Sequence, residues 1–89
     1  MAIRKRVLYR GQVQGVGFRA TAHSIAAGHA VGGFVRNLPD GKVELAIEGE
    51  PAAVQAVLSE LALRMEGFIR DTAEQDEPPR GEREFRIAR

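Results

Sequence analysis

The stretch Val31-Gly32-Gly33-Phe34-Val35-Arg36-Asn37-Leu38-Pro39-Asp40-Gly41-Lys42-Val43-Glu44-Leu45-Ala46-Ile47-Glu48 decides the fold. Residues 42–48 set Val43, Leu45 and Ile47 against Glu44 and Glu48, the period-two pattern of a half-buried strand. Residues 31–38 read as a strand ahead of it. Pro39-Asp40-Gly41 between them carries turn chemistry, with proline presetting its φ and glycine free to take a positive one. The two strands are expected to return on each other as a hairpin.

Upstream, residues 3–13 read as a strand with Ile3, Val7, Tyr9 and Val13 on one side and Arg4, Arg6, Arg10 and Gln12 mostly on the other. Leu8 interrupts the polar side, which suits a central strand with both faces partly covered. Residues 14–19 form a loop. A helix is expected over 20–30, with Ala22, Ile25 and Ala26 as its apolar stripe and Gly28 weakening its end. Downstream, Pro51 opens a second helix, where its missing N–H is harmless. Val54, Val57, Leu58, Leu61 and Met65 recur on one face of it. A weaker strand is expected over about 68–75, a polar loop with Pro78-Pro79 and Gly81 after it, and a short strand at Phe85 and Ile87. Glu74, Asp76 and Glu77 are expected in a solvated loop. The order β-α-β-β-α-β with a short extra C-terminal strand predicts an α+β fold, a ferredoxin-like α/β sandwich with two helices on one face of a mostly antiparallel sheet.

The 89 residues make one domain, 1–89, with a small core. No apolar run is long enough to span a membrane. The basic start Met1-Ala2-Ile3-Arg4 lacks the apolar stretch of a signal peptide. Zero cysteines exclude disulfides, thiolate metal sites and cysteine nucleophiles. A cytoplasmic monomer, complete rather than a fragment of a larger enzyme, is the simplest expectation. Charge is unevenly placed: residues 1–39 carry six basic side chains and no acid, and residues 40–89 carry the twelve acids. The local field of the basic half favours an anionic ligand, although strand arginines also keep small domains soluble.

That half contains Gly15-Val16-Gly17-Phe18-Arg19 at the start of the helical pattern. A glycine turn feeding a helix N-terminus aims unpaired backbone N–H groups at one point, and arginine adds a fork that matches phosphate. A P-loop would need Gly at position 16 and a Lys after it; counted from Gly11, that position is Val16. Gly15-Val16-Gly17-Phe18-Arg19-Ala20 fits the dinucleotide fingerprint superficially, but the acid that follows, Asp40, lies in a hairpin turn rather than at the end of a parallel strand. A cysteine-dependent phosphatase loop would place its nucleophile at Val13. An anion loop without a side-chain nucleophile survives, beside the plainer reading of a tight turn with a surface arginine. Asn37 ends its strand next to the hairpin turn. It could hold a water in one orientation, or it could serve the turn through its own backbone.

Gly11-Gln12-Val13-Gln14-Gly15-Val16-Gly17-Phe18-Arg19, with Asn37 in Gly33-Phe34-Val35-Arg36-Asn37, closely resembles the acylphosphatases. Asp40-Gly41, Val43-Glu44, Glu48-Gly49 and Phe85-Arg86-Ile87 extend the resemblance along essentially the whole chain. The chain departs from the family pattern at Ala20, at 27–31 and at 65–70. The resemblance implies hydrolysis of the carboxyl-phosphate bond of acyl phosphates. It implies Arg19 and Asn37 as catalytic residues, with Arg19 binding the phosphate in the loop of Gly15, Val16, Gly17 and Phe18 and Asn37 orienting the attacking water. The expected substrate is a small-molecule acyl phosphate. No metal, cofactor, nucleic acid or membrane partner is expected. His23 and His29 lie six apart on the first helix, a poor spacing for a shared metal. The rival reading is an RNA-binding ferredoxin-like sheet, for which the sparse aromatics show no stacking pattern.

Overall fold

Val43 pairs with Tyr9 on one side and with Asn37 on the other. That row across the sheet explains how two segments distant in sequence come together. In the computed structural model, which describes residues 1–89, the elements are β1 (Ile3–Gly11), α1 (Phe18–Ala27), β2 (Val31–Asn37), β3 (Val43–Gly49), α2 (Pro51–Arg64), β4 (Ile69–Glu77) and β5 (Phe85–Ile87). The five strands form one sheet in the order β4-β1-β3-β2-β5. β3 runs antiparallel to both β1 and β2. β1 and β2 therefore point the same way, and β5 joins β2 in parallel. The C-terminal ends of β1, β2 and β5 all emerge at one end of the sheet.

The inward side chains behave as the alternation predicts. Val7, Tyr9 and Val13 from the first segment, Val35 from β2, and Val43, Leu45 and Ile47 from β3 are buried in one cluster with both helices. The whole expected stripe of α2 is in it: Val54, Val57, Leu58, Leu61 and Met65. Each such side chain contributes about 1.5–3 kcal/mol of burial. Pro51 is the first residue of α2, as expected.

The boundaries differ where local turns intervene. β1 ends at Gly11 rather than at residue 13, and α1 occupies 18–27 rather than 20–30. The helix stops early because Gly28 N–H bonds Ile25 and His29 N–H bonds Ala26, tightening the last turn into i→i+3 bonds. Within β2, Gly33 has φ 130° and a Cβ there would overlap the Ala46 carbonyl, so only glycine fits.

A larger correction concerns Glu74, Asp76 and Glu77. They lie on β4, at the edge of the sheet and opposite Val7, Lys5 and Arg4, not in a loop. An edge strand exposed on both faces needs no apolar alternation, so its sequence carries no period. Cross-strand charge pairing supports it instead. Lys5 Nζ lies 2.9 Å from Asp76, and Arg10 lies 2.8 Å from Asp71.

The open face of the sheet carries a lattice of ion pairs. Arg4 is only 1 % exposed and meets Glu48 at 3.0 Å, Glu77 at 3.1 Å and Glu82 at 2.8 Å. Burial disfavours its charge, and the three carboxylates outweigh that, so its pKa is raised. Glu48 also accepts the backbone N–H groups of Arg80 at 2.8 Å and Gly81 at 2.6 Å. The segment between β4 and β5 is thereby pinned across the sheet, and the chain is delivered to β5 beside β2. Arg6 and Arg36 both donate to Glu44.

Candidate active site

At the end of the sheet where β1, β2 and β5 emerge lies a cavity of about 480 Å³ lined by Val13, Gly15, Gly17, Phe18, Arg19, Ala20, Asn37, Ile87 and Arg89. No Asp or Glu side chain lines it. A larger hollow of about 570 Å³ lies beside Arg10, Gln12, Phe68 and Arg70; Arg10 there is committed to Asp71, and Arg70 has neither a helix N-terminus nor a buried unpartnered acceptor beside it in that lining. Chemistry rather than size distinguishes the first cavity.

The turn that forms its floor requires glycine. Gly15 and Gly17 have φ of 76° and 79°, left-handed values that other residues adopt only at a cost. Gly17 is the N-cap of α1, and no side chain caps the helix. The first bond of the helix runs from Thr21 N–H to the Gly17 carbonyl at 2.9 Å. The N–H groups of residues 15–20 donate to no backbone acceptor. Such a run of free donors at a helix N-terminus favours an anion.

Arg19 is half-buried at the rim of this turn. Of the six basic side chains in residues 1–39, Arg4, Lys5, Arg6, Arg10 and Arg36 are all in ion pairs, and Arg19 is in none. The basic excess that drew attention in the sequence is thus neutralised across the sheet at every position except this one. Asn37 comes to the same cavity from the end of β2. Its Oδ1 is buried and has no hydrogen-bond partner. An acceptor so placed is costly unless something donates to it.

Of the expected phosphate-binding residues, Gly15, Gly17, Phe18 and Arg19 line the cavity. Val16 does not; it packs against the core. Phe18 contributes through its backbone, because its ring is buried 4.8 Å from that of Tyr9 with the planes tilted by 56°. That contact anchors the first residue of α1 to β1 and is worth about 0.5–1.5 kcal/mol beyond the area buried. Burial first, and then the charge of Glu74, push the Tyr9 phenol well above its ordinary pKa, so it stays neutral.

Three contributors were not singled out from the sequence. Gln14 bonds the carbonyls of Leu38 and Lys42, and nothing in the residue pattern announces those partners. Ile87 and Arg89 were legible in principle, since the alternation Phe85, Ile87 continues to Arg89. His23 and His29 both border a hollow of about 330 Å³ with Arg83 and Glu84, and no group of three or more His, Asp or Glu is disposed to hold a metal. No helix is long and apolar enough to cross a membrane.

Comparison with known proteins agrees with this geometry. The acylphosphatase family model matches residues 5–87. An acylphosphatase of Synechococcus sp. is 46% identical over 86 residues, covering 96% of this chain and 92% of that one. One from Gloeobacter violaceus is 53% identical over a shorter 57 residues, 64% of this chain and 61% of its own. The crystal structure of the Bacillus subtilis acylphosphatase superposes with a TM-score of 0.87 at 27% identity, covering all of both chains. A family match over nearly the whole length, on a fold and a cavity of this kind, leaves one assignment: this chain belongs to the acylphosphatase family, a family of hydrolases.

Proposed function

We propose that this protein hydrolyses the carboxyl-phosphate bond of small acyl phosphates, with the N–H groups of the 15–19 loop and Arg19 holding the phosphoryl group and Asn37 orienting the attacking water. The observation that carries this reading is the convergence on one cavity of an arginine with no ion pair and an asparagine oxygen, buried, with no partner.

An acyl phosphate is a mixed anhydride whose leaving group is a carboxylate, stable at neutral pH without protonation. Phosphoryl transfer from it asks mainly for positioning and charge stabilisation. The free amides and Arg19 supply the charge. Asn37 Oδ1 accepts from one O–H of a water and sets its lone pair in line with the P–O bond. Water oxygen bonds phosphorus, the bond from phosphorus to the carboxyl oxygen breaks, and the carboxylate leaves with the bonding pair. The water proton passes to a phosphate oxygen, so no His, Asp or Glu is needed as a base. Every group named comes from one chain.

The ion-pair lattice on the open sheet face supports a small-molecule substrate over RNA. Glu44 and Glu48 occupy its arginines, and Phe34 lies beneath the guanidinium groups of Arg36 and Arg86, each 5.7 Å from the ring centre. The direct test is hydrolysis of benzoyl phosphate by purified protein in EDTA, with Arg19→Gln alongside. Turnover by the wild type that is lost in the variant is the expected result. A folded wild type with no turnover would overturn the assignment.

A further inference from the structure

The crossover from β4 to β5 is seated on one row of the sheet. Glu77 on β4, Arg4 on β1, Glu48 on β3 and Gly32 on β2 are successive neighbours in that row. Residues 78–84 cross the open face along it, and beyond Pro78 and Pro79 they contain no apolar side chain. Polar contacts hold them. The Arg80 and Gly81 N–H groups converge on the Glu48 carboxylate at 2.8 and 2.6 Å. Gly81 takes φ 81°, a left-handed value that turns consecutive N–H groups toward one anion. Arg4 joins Glu48 to Glu82. Gly32 leaves the space, since a Cβ there would overlap the Glu82 carbonyl. Glu48 is only 3% exposed, although most of the segment covering it is exposed.

β5 depends on that seat. It is three residues long, lies at the sheet edge and pairs with β2 alone. Glu84, the last residue of the crossover, accepts from Gly33 N–H at 2.9 Å, and Ala88 N–H donates to the Val35 carbonyl at 2.8 Å. A short edge strand reached through an exposed, polar segment belongs to the low-stability end of a fold. Yet β5 carries Ile87 into the lining of the active-site cavity and flanks β2, the strand that ends in Asn37. The phosphate cradle, by contrast, belongs to the glycine loop and α1. We propose that Glu48 is a positioning residue: it latches the 78–84 crossover, thereby holds β5 against β2, and so keeps in place the cavity wall that β5 forms. Gly32 and Asn37 stand near opposite ends of β2, about 17 Å apart along the strand. The latch therefore acts through β5 and not by contact with substrate. Its effect on turnover rests on the hydrolase reading above, whereas the coupling of the crossover to β5 is independent of it.

Native-state hydrogen exchange on the full chain tests the coupling. In Glu48→Gln the side chain keeps one acceptor but turns an NH2 group toward the second backbone donor. The Arg80, Gly81 and Ala88 amides should then exchange together about 10- to 100-fold faster, with the β1–β3 ladder little changed. Gly32 needs no positive φ, so Gly32→Ala lifts the crossover without altering a charge, and it should give the same pattern. Because that displacement is permanent, kcat of Gly32→Ala on benzoyl phosphate should fall about ten-fold, while inorganic phosphate inhibits nearly as well as in the wild type. In Glu48→Gln, where opening is transient, turnover should vanish on warming before the circular-dichroism transition. Arg80 and Gly81 accelerating without Ala88 overturns the coupling, and so does equal acceleration across the whole sheet or a variant that fails to fold. Unchanged kcat in Gly32→Ala, equal losses of turnover and phosphate binding, or simultaneous loss of turnover and structure in Glu48→Gln overturns the positioning role. A folded wild type without turnover overturns the hydrolase reading instead, and exchange still decides whether Glu48 holds β5.

Discussion

Gln14 ties the anion loop to the turn that follows Asn37. Its side-chain nitrogen donates one hydrogen to the Leu38 carbonyl at 2.8 Å and the other to the Lys42 carbonyl at 2.9 Å. The turn is closed by its own bond, Leu38 N–H to the Lys42 carbonyl at 2.8 Å. One side chain thereby ties the glycine loop to the end of β2, and so to Asn37. Gln14→Ala should lower kcat by about ten-fold or more, since small misplacements of reacting groups are costly. Stability should fall by about 1–2 kcal/mol for the two lost bonds. Steady-state kinetics with urea denaturation check both, and unaltered kcat would show that the loop holds its place without the stitch.

Arg19 and Asn37 should separate binding from turnover. Arg19→Gln removes the one unpaired cation among residues 1–39 and should cost about 10²–10³-fold in kcat/KM, with phosphate inhibition weakened in parallel. Arg19→Lys keeps the charge but loses the fork, and should recover only part. Asn37→Ala should lower kcat by about 10²-fold while inorganic phosphate still inhibits nearly as well. Normal turnover in Asn37→Ala would remove the water-orienting role.

Gly17 and Gly33 both have positive φ but should respond differently to alanine. A Cβ on Gly17 meets nothing within 4 Å. Gly17→Ala should therefore fold with a loss of about 1–2 kcal/mol from backbone conformation alone, and phosphate should bind it less well. A Cβ on Gly33 would collide with the Ala46 backbone, so Gly33→Ala should fail to give a folded protein. Circular dichroism and thermal melts of the two variants distinguish the cases.

The Arg4 cluster should govern acid stability. The backbone N–H of Arg80 holds the Glu48 carboxyl below its ordinary pKa of 4.5; burial opposes this, and Gly81 N–H and Arg4 assist. For Glu44, burial pushes upward, but bonds from Arg36 and Arg6 outweigh it, so its pKa is also lowered. Both carboxyls take up protons at higher pH in the unfolded chain than in the folded one. Their stabilisation is complete above the ordinary carboxyl value and is lost as pH falls through the lower folded values. Urea midpoints should thus hold steady at neutral pH and drop below about pH 4.5. Arg4→Met leaves Glu48, Glu77 and Glu82 facing one another, and should cost about 3–5 kcal/mol at pH 7. That deficit should narrow in acid as the carboxylates protonate.

The comparison of sequence with structure follows from what each element needs. β3 and α2 were legible because each buries one face, and burial imposes a period of two or 3.6 on the residues. The glycine loop was legible because positive φ at Gly15 and Gly17 restricts those positions to glycine almost alone. β4 was only partly legible: as an exposed edge, it holds its place through Lys5–Asp76 and Arg10–Asp71, and charges that pair across strands leave no period along either one. The end of α1 was misjudged because i→i+3 bonds at Gly28 and His29, not the side-chain stripe, terminate it.

By itself the sequence determined the order of elements, the hairpin that excludes a doubly wound sheet, and the glycine turn that leads into the first helix, since these depend on local backbone preference and on side-chain identity. Only the tertiary structure decided which cations are free and what stands beside what. Arg4, Arg6, Arg10, Arg19 and Arg36 look alike along the chain. Sheet register gives a carboxylate to each of them except Arg19. The parallel pairing of β5 with β2 then brings the end of the chain to the cavity that Asn37 lines. Pairing of that kind depends on separations of tens of residues, which chain order does not encode locally.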